Sequence, residues 1–117
     1  MKILIVDDSP HAIYLMAHYI NKRDIEVVSA LTAEQGIQRA IEELPDLIVC
    51  DVRMPGMDGI EFAEEIKKNP ALADIPLIAV TAEAMPEHKK AALEAGFDAY
   101  FTKPIDSDAF VNKLIEF

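Results

Sequence analysis

Five polar residues of this chain could act together in chemistry, because each lies at the end of a short, largely apolar stretch. They are Asp7, Asp8, Asp51, Thr81 and Lys103. Three carboxylates in one place repel each other unless a cation lies among them, and oxygen ligands without His or Cys favour Mg²⁺. A lysine and a threonine hydroxyl facing them would bind an anion. A cation, a carboxylate nucleophile and such an anion clamp suit phosphoryl transfer onto Asp51.

The residues around Asp51 explain why it is the candidate nucleophile. Residues 47–50 form an apolar run rich in β-branched side chains, which is typical of a strand buried on both faces. Pro55, Gly56 and Gly59 then predict a tight loop. A carboxylate at the carboxyl end of a buried strand lies where open α/β sheets place their chemistry. The simpler alternative is that Asp51 caps a turn.

Apolar periodicity predicts five strands that alternate with five helices. The strands are expected at residues 2–6, 25–30, 47–50, 76–80 and 98–101. Capping residues or proline mark the helix starts, at Ser9-Pro10, Thr32 with Gln35, Asp58 with Glu61, Pro86 and Ser107. Gly96 is expected to end the fourth helix in the left-handed conformation.

Helical spacing also predicts which residues of the helices face the core. They are Ile13, Met16, Ala17 and Ile20, then Ile37, Ala40, Ile41 and Leu44, then Ile60, Ala63 and Ile66, and finally Phe110, Val111, Leu114 and Ile115. His11, His18 and His88 are expected on helix surfaces, fully or partly exposed, and do not suggest a metal site. Met54 is expected to pack on the loop beside Asp51.

This order of elements predicts an α/β fold, in which one parallel sheet is covered by helices on both faces. Right-handed crossovers favour a doubly wound, flavodoxin-like (βα)5 arrangement with strand order 2-1-3-4-5. A single domain is expected over residues 1–117. Because the carboxyl ends of parallel strands meet at one edge, the five polar residues should form one cluster.

Composition excludes several classes of protein. The formal charge is −10, from 21 acidic and 11 basic residues, which argues against direct nucleic-acid binding. No apolar run approaches the roughly 18 residues of a membrane span, so membrane insertion is not expected. The first residues turn to charge too early for a secretory signal. The single cysteine, Cys50, predicts a core thiol in a reducing compartment, and hence a cytoplasmic protein.

Four short motifs occur in an order and spacing that match a known family. They read Val-Asp-Asp-Ser from residue 6, Cys-Asp-Val-Arg-Met-Pro-Gly-Met-Asp-Gly from residue 50, Val-Thr-Ala-Glu-Ala from residue 80 and Tyr-Phe-Thr-Lys-Pro from residue 100. With them the chain resembles the receiver domain of two-component response regulators. The resemblance covers the whole chain, since all five βα units are present.

The resemblance implies a role for each residue of the predicted cluster. Asp51 would be the phospho-acceptor, and Thr81 and Lys103 would bind the phosphoryl group. Mg²⁺, for which Mn²⁺ can substitute, would be held by Asp8, Asp51 and the main-chain carbonyl of Arg53, with Asp7 acting through water. The protein would catalyse only its own phosphorylation and slow dephosphorylation, as a switch and not as an enzyme.

The resemblance also implies partners and a switching element. A histidine kinase or histidine phosphotransferase of a phosphorelay would donate the phosphoryl group, and a downstream protein would be the output. Tyr100 matches the aromatic switch position, which would change the face made by the fourth helix, the fifth strand and the fifth helix. The Lys103–Pro104 peptide would be cis. Arg53 and Glu83 would flank the path of attacking water, and we hypothesise that they pair there and lengthen the lifetime of the acyl phosphate.

Other readings of the same residues remain open at this point. A phosphorylation-independent binding module would keep the fold alone. A phosphohydrolase of the haloacid-dehalogenase kind would need a second Asp two residues after its nucleophile, where this chain has Ser9 after Asp7 and Arg53 after Asp51. A flavodoxin would need a phosphate-binding loop rich in Ser, Thr and Gly after the first strand. Met1 lies just before the first strand, which favours a true amino terminus. The chain could be a stand-alone receiver or a receiver cut from a longer regulator or hybrid kinase.

Overall fold

Strands and helices alternate along the computed structural model, which describes residues 1–54, 56–82, 86–103 and 108–117. Within these ranges the strands are β1 (Lys2–Val6), β2 (Glu26–Ala30), β3 (Leu47–Asp51), β4 (Leu77–Thr81) and β5 (Ala99–Thr102). The helices are α1 (Pro10–Asn21), α2 (Ala33–Glu43), α3 (Gly59–Lys68), α4 (Pro86–Ala95) and α5 (Asp108–Ile115). None of these described helices is long and apolar enough to cross a membrane. The predicted strands agree to within one residue at each end.

All strands of the sheet are parallel and follow the order β2-β1-β3-β4-β5, which confirms the predicted doubly wound topology. The register determines which residues meet at the carboxyl edge. Val6 lies opposite Cys50, so the next residue along each strand, Asp7 and Asp51, come level with each other. Asp51 in turn lies opposite Val80, one residue before Thr81.

Two apolar clusters cover the two faces of the sheet, because successive strand residues point in opposite directions. One cluster joins the sheet to α2, α3 and α4 and includes Leu4, Val6, Ile48, Cys50, Ala79, Phe62 and Ile66. The other joins it to α1 and α5 and includes Ile3, Ile5, Val49, Ile78, Met16, Ile20 and Leu114. Cys50 is fully buried, as predicted for a core thiol.

Local capping bonds start three of the helices as the sequence predicted. Ser9 Oγ accepts from the Ala12 amide at 3.2 Å, Thr32 Oγ1 from the Gln35 amide at 3.1 Å, and Asp58 Oδ1 from the Glu61 amide at 3.0 Å. The Gln35 side chain departs from the usual capping box, since it accepts from the Leu31 amide, one residue before the N-cap. Gly96 ends α4 with a φ of +122°, as expected. The predicted cap Ser107 lies outside the described residues.

Three of the residues predicted to face the core are exposed instead. Ile41 is 47% exposed, because α2 presents its small residues Ala33, Gly36 and Ala40 to the sheet and turns Ile41 aside. Leu44 is 59% exposed, because it follows the last turn of α2 in the left-handed conformation and so leaves the helical face. Ile115, at the last position of α5, is 39% exposed.

The remaining residues predicted on helix faces behave as expected or are only partly buried. Ile13, Ala17, Ile37 and Ile60 are half-buried at the margins of the two clusters. The histidines were predicted on helix surfaces, and His11 and His18 are exposed while His88 is half-buried.

Candidate functional site

Three carboxylates meet at the carboxyl edge of the sheet. One oxygen from each of Asp7, Asp8 and Asp51 lies within 4.8 Å of the others. Asp7 is fully buried, Asp51 is 6% exposed and Asp8 is exposed. The Asp7 amide donates to the carbonyl of Ala30 at 3.1 Å, which holds the backbone after β1 against the end of β2. Two carboxylates of the cluster, Asp7 and Asp51, are therefore buried, and the third, Asp8, faces solvent.

Lys103 reaches into this cluster from the end of β5. Its Nζ lies 2.7 Å from Asp7 Oδ2 and 3.1 Å from Asp51 Oδ2. The backbone fixes this approach, since the Lys103 amide donates to the carbonyl of Thr81 at 2.7 Å. Asp7 Oδ1 accepts from the Ser9 amide at 2.9 Å, whereas the buried Oδ2 has no hydrogen bond of ordinary geometry despite its nearness to Lys103. Asp7 therefore keeps a buried oxygen with bonding capacity to spare.

The pKa values of Asp51, Lys103 and the neighbouring Cys50 are perturbed. Burial raises the pKa of Asp51 above its ordinary value. The hydrogen bond from the Arg53 amide and the nearby Lys103 lower this pKa, but burial outweighs them. Burial would lower the pKa of Lys103, but its close contact with Asp7 Oδ2 and the negative charges of Asp7 and Asp51 outweigh burial, so the pKa of Lys103 is raised. Burial raises the pKa of the Cys50 thiol well above its usual value, which keeps it protonated.

The donor set fits a hard divalent cation. The three side chains offer only carboxylate oxygens, and Asp7 Oδ2 is buried without a well-formed hydrogen bond. The Arg53 amide donates to Asp51 Oδ1 at 3.0 Å, so the backbone of the next loop is held close to the same carboxylate. Exposed Asp8 leaves room for the water ligands that a small cation such as Mg²⁺ retains.

Comparison with known proteins identifies the family of this chain. The family model for the response regulator receiver domain matches residues 3–115. This chain belongs to the receiver domain family. Receiver domains are signalling switches of two-component systems and generally not true enzymes, and histidine kinases act as their donors. The family predicted from the four motifs is thereby confirmed.

Related proteins match the receiver domain along almost its whole length. An uncharacterised 14.6 kDa protein of Leptolyngbya boryana is 40% identical over 91% of this chain and 81% of its own length. Protein PilH of Pseudomonas aeruginosa is 31% identical over 97% of this chain and 93% of its own length. The solved structure of the chemotaxis protein CheY4 of Vibrio cholerae superposes with a TM-score of 0.91 at 27% identity, covering 98% of this chain and 95% of that one.

Two further predicted site residues, Thr81 and Tyr100, lie on β4 and β5. Thr81 is 1% exposed and ends β4, and its carbonyl accepts from the Lys103 amide. Tyr100 lies opposite Ala79 in the pairing of β5 with β4. It is half-buried against the apolar cluster that joins the sheet to α2, α3 and α4. Thr81 and Lys103 are therefore brought together by the sheet itself.

Some predicted residues fall outside the part of the chain that the structure describes. Glu83 and Pro104 lie there, so the proposed Arg53–Glu83 pair and the cis Lys103–Pro104 peptide stay predictions. Arg53 lies within the described part of the chain and is exposed. Met54 was expected to pack beside the site and is 7% exposed.

A groove beside the site was not predicted from the sequence. It encloses about 480 Å³ next to the loop after Asp51 and is lined by Val52, Arg53, Met54, Asp58, Ile60, His88 and Ala91. Its lining comes from the loop after β3, the start of α3 and α4, so no local motif could have shown it. Half-buried His88 contributes to this groove, which accounts for its partial burial.

From the sequence, Gly59 was assigned only to a tight loop, whereas it is the first residue of α3. An added Cβ at Gly59 would lie 2.6 Å from the carbonyl oxygen of Asp51 and 2.6 Å from Cα of Val52. Gly59 therefore lies directly against the backbone of Asp51 and Val52. The available signal was a glycine at the first position of a capped helix, where no left-handed backbone requires one.

Proposed function

We propose that this receiver domain is a phosphorylation-dependent switch that accepts a phosphoryl group on Asp51 in the presence of Mg²⁺. The donor would be a histidine kinase or a histidine phosphotransferase, and the output a downstream protein. The observation that carries the proposal is the geometry of Lys103, whose ammonium lies 3.1 Å from Asp51 and 2.7 Å from Asp7. A nucleophile, an acidic ligand set and a cation for an anionic group are thus within a few ångströms of each other.

The transfer would proceed by attack of an Asp51 carboxylate oxygen on the phosphorus atom of a phosphohistidine. The new P–O bond forms as the P–N bond breaks, and the imidazole nitrogen leaves with the electron pair and takes up a proton. The hydrogen bond from the Arg53 amide to Asp51 Oδ1 orients the carboxylate. Oδ2, which accepts from Lys103 Nζ at 3.1 Å, would be the oxygen that attacks the incoming phosphoryl group.

Charge neutralisation would come from both ends of the site. Bound Mg²⁺ would neutralise the charge on the phosphoryl oxygens, and Asp8, Asp51 and the Arg53 carbonyl would hold it, with Asp7 acting through water. Lys103 would turn from the two carboxylates toward a phosphoryl oxygen. The hydroxyl of Thr81 would bind a second phosphoryl oxygen. The Lys103 amide donates to the Thr81 carbonyl at 2.7 Å, which holds the two residues side by side.

The phosphoryl group would act on the rest of the molecule through Thr81. Movement of its hydroxyl toward Asp51 would leave space along the end of β4. Tyr100, half-buried one strand away, would then turn inward and change the face made by α4, β5 and α5. This is a shift between two populations of one fold.

Mass measurement of the intact protein tests the proposal directly. The wild type is incubated with Mg²⁺ and either acetyl phosphate or phosphoramidate, and it should gain the mass of one phosphoryl group. Asp51→Asn should gain none. Asp74→Asn, a matched change of an exposed carboxylate at the opposite edge of the sheet, should be labelled like the wild type.

Two results would contradict the proposal. Equal labelling of Asp51→Asn would show that the acceptor lies elsewhere. A wild type that takes up no phosphoryl group from small donors or from phosphorylated histidine kinases would instead support the alternative, a binding module that works without phosphorylation.

A further inference from the structure

The start of α3 is seated directly on the backbone of the acceptor strand. A Cβ added at Gly59 would lie 2.6 Å from the Asp51 carbonyl oxygen, 2.6 Å from Val52 Cα and 3.1 Å from the Val52 carbonyl oxygen. All three are backbone atoms, which cannot rotate away as the end of a side chain can. Contacts under 3.0 Å are essentially never made by real Cβ atoms, so a side chain here would push α3 and the end of β3 apart.

The same contact closes the loop that follows Asp51. The Gly59 amide donates to the Val52 carbonyl at 2.9 Å, which joins the two ends of the loop. Inside this closed loop the Arg53 amide donates to Asp51 Oδ1 at 3.0 Å. The position of α3 therefore sets both the end of β3 and the backbone beside the carboxylate.

We propose that Gly59 is a positioning residue for phosphoryl transfer. Its missing side chain lets α3 dock at the distance that places the Asp51 carboxylate and the Arg53 backbone for reaction. This inference rests on the proposed function, in which Asp51 is the nucleophile and the Arg53 carbonyl a metal ligand. Gly59 touches no reacting atom and acts only through the backbone of Asp51 and Val52.

The physical reason for glycine here is the close approach and not backbone freedom. Among the described glycines, positive φ values occur at Gly56 and Gly96, and Gly59 is not one of them. Alanine at Gly59 would thus find an allowed backbone but no space. A displacement of about 1 Å in a reacting group can reduce a rate by about 100-fold. A single methyl group at Gly59 is expected to cause a displacement of that order.

The test compares Gly59→Ala with Gly96→Ala in the full chain. Gly96 has a φ of +122° and its added Cβ would meet the Lys67 side chain at 2.7 Å, so alanine there also disturbs the fold. Gly96 follows α4 and precedes β5, at the edge of the sheet opposite the site. Labelling rates with phosphoramidate and Mg²⁺ are measured at a temperature where both variants are folded. Mg²⁺ titrations are followed through the backbone amide resonances of residues 51–54.

Gly59→Ala should be labelled about 10- to 100-fold more slowly than the wild type and should bind Mg²⁺ more weakly. Gly96→Ala should stay within about two-fold of the wild type in both measurements, although it melts at a lower temperature. A Gly59→Ala protein with the wild-type rate and Mg²⁺ titration would overturn the inference. So would an equal loss in Gly96→Ala, because the loss would then follow stability.

Failure of the proposed function gives a different pattern. A wild type that is never labelled contradicts phosphoryl transfer, and the positioning by Gly59 is then decided by the amide resonances alone. Shifts at residues 51–54 in Gly59→Ala but not in Gly96→Ala support it, and unchanged resonances overturn it.

A second pair of variants covers the case in which Gly59→Ala does not fold. Asp58→Ala removes the oxygen that accepts from the Glu61 amide at 3.0 Å, which loosens the first turn of α3 without adding an atom against β3. Its labelling rate should fall, and Asp58→Asn, which keeps a capping oxygen, should restore it. An unchanged rate in Asp58→Ala would overturn the inference.

Discussion

The ammonium of Lys103 lies closer to Asp7 than to Asp51, at 2.7 Å against 3.1 Å. Lys103 thus stands between two buried carboxylates, with exposed Asp8 nearby. One ammonium cannot balance three carboxylates, so the site keeps an excess of negative charge. This excess favours the binding of a divalent cation. Because Lys103 already pairs with Asp7, it would compete with that cation for the Asp7 carboxylate.

Lys103→Met should therefore destabilise the protein when Mg²⁺ is absent and increase its response to Mg²⁺. Removing one partner of a buried ion pair costs about 3 kcal/mol, because the carboxylates lose their counter-charge. Thermal unfolding with and without Mg²⁺ measures both effects. Lys68→Met, which removes an exposed lysine from α3, serves as the control and should change neither. An equal Mg²⁺ shift in the wild type and in Lys103→Met would contradict the competition.

Mg²⁺ itself should stabilise the fold through the acidic cluster. At ten times its dissociation constant the expected gain in the free energy of unfolding is about 1.4 kcal/mol. Asp8→Asn should lose most of this gain. Without metal it should be slightly more stable than the wild type, by less than about 1 kcal/mol, because Asp8 is exposed and its repulsion is screened. Melting curves at several Mg²⁺ concentrations decide the point, and an undiminished shift in Asp8→Asn would rule out its role as a ligand.

Asp51 should make the stability depend on pH in an unusual direction. Its pKa is raised in the folded state, so the folded protein holds this proton to a higher pH than the unfolded chain does. The stabilisation from Asp51 is complete below the ordinary value of 3.8 and is lost as pH rises through the folded value. Asp51→Asn lacks this loss, and at neutral pH it should be more stable than the wild type.

Urea unfolding of both proteins across a pH series tests this sign. The difference in the free energy of unfolding, Asp51→Asn minus wild type, should grow as pH rises above 3.8 and then level off. Asp74→Asn, the same substitution at an exposed carboxylate, is measured beside it as the control. A difference that shrinks with rising pH would mean that Lys103 and the Arg53 amide outweigh burial at Asp51.

Arg53 and Glu83 should act together on the lifetime of the acyl phosphate. A pair worth 1 kcal/mol would slow hydrolysis by about five-fold, because it hinders the attacking water. Autodephosphorylation rates of Arg53→Ala, Glu83→Ala and the double variant form a double-mutant cycle. Additive effects on the logarithm of the rate would show that the two side chains act independently.

Local sequence signals predicted much of the fold and of the site. The caps Ser9, Thr32 and Asp58 bond amides only three residues away, so spacing alone revealed them. Apolar strand runs gave the strands to within one residue, and the rules of parallel sheets then gave the order β2-β1-β3-β4-β5. The meeting of Asp7, Asp51 and Lys103 followed, because each comes at the carboxyl end of its strand.

Helix burial was predicted less well, since it depends on how closely a helix approaches the sheet. Periodicity placed Ile41 and Leu44 in the core together with Ala40. Gly36 instead allows α2 to come close to Val6, and the small residues of the helix then fill the contact. An apolar pattern shows that one face of a helix is buried but not how wide that face is.

The sequence by itself determined which side chains reach the edge of the sheet, because strand ends and strand order follow from short-range patterns and chain connectivity. Only the tertiary structure decided which of these side chains are buried and which of them pair with each other. Asp7 is buried while its neighbour Asp8 faces solvent, and Lys103 lies nearer to Asp7 than to Asp51. These outcomes depend on the packing of atoms from residues far apart in the chain. Differences of a few tenths of an ångström between such atoms leave no mark in residue type or spacing.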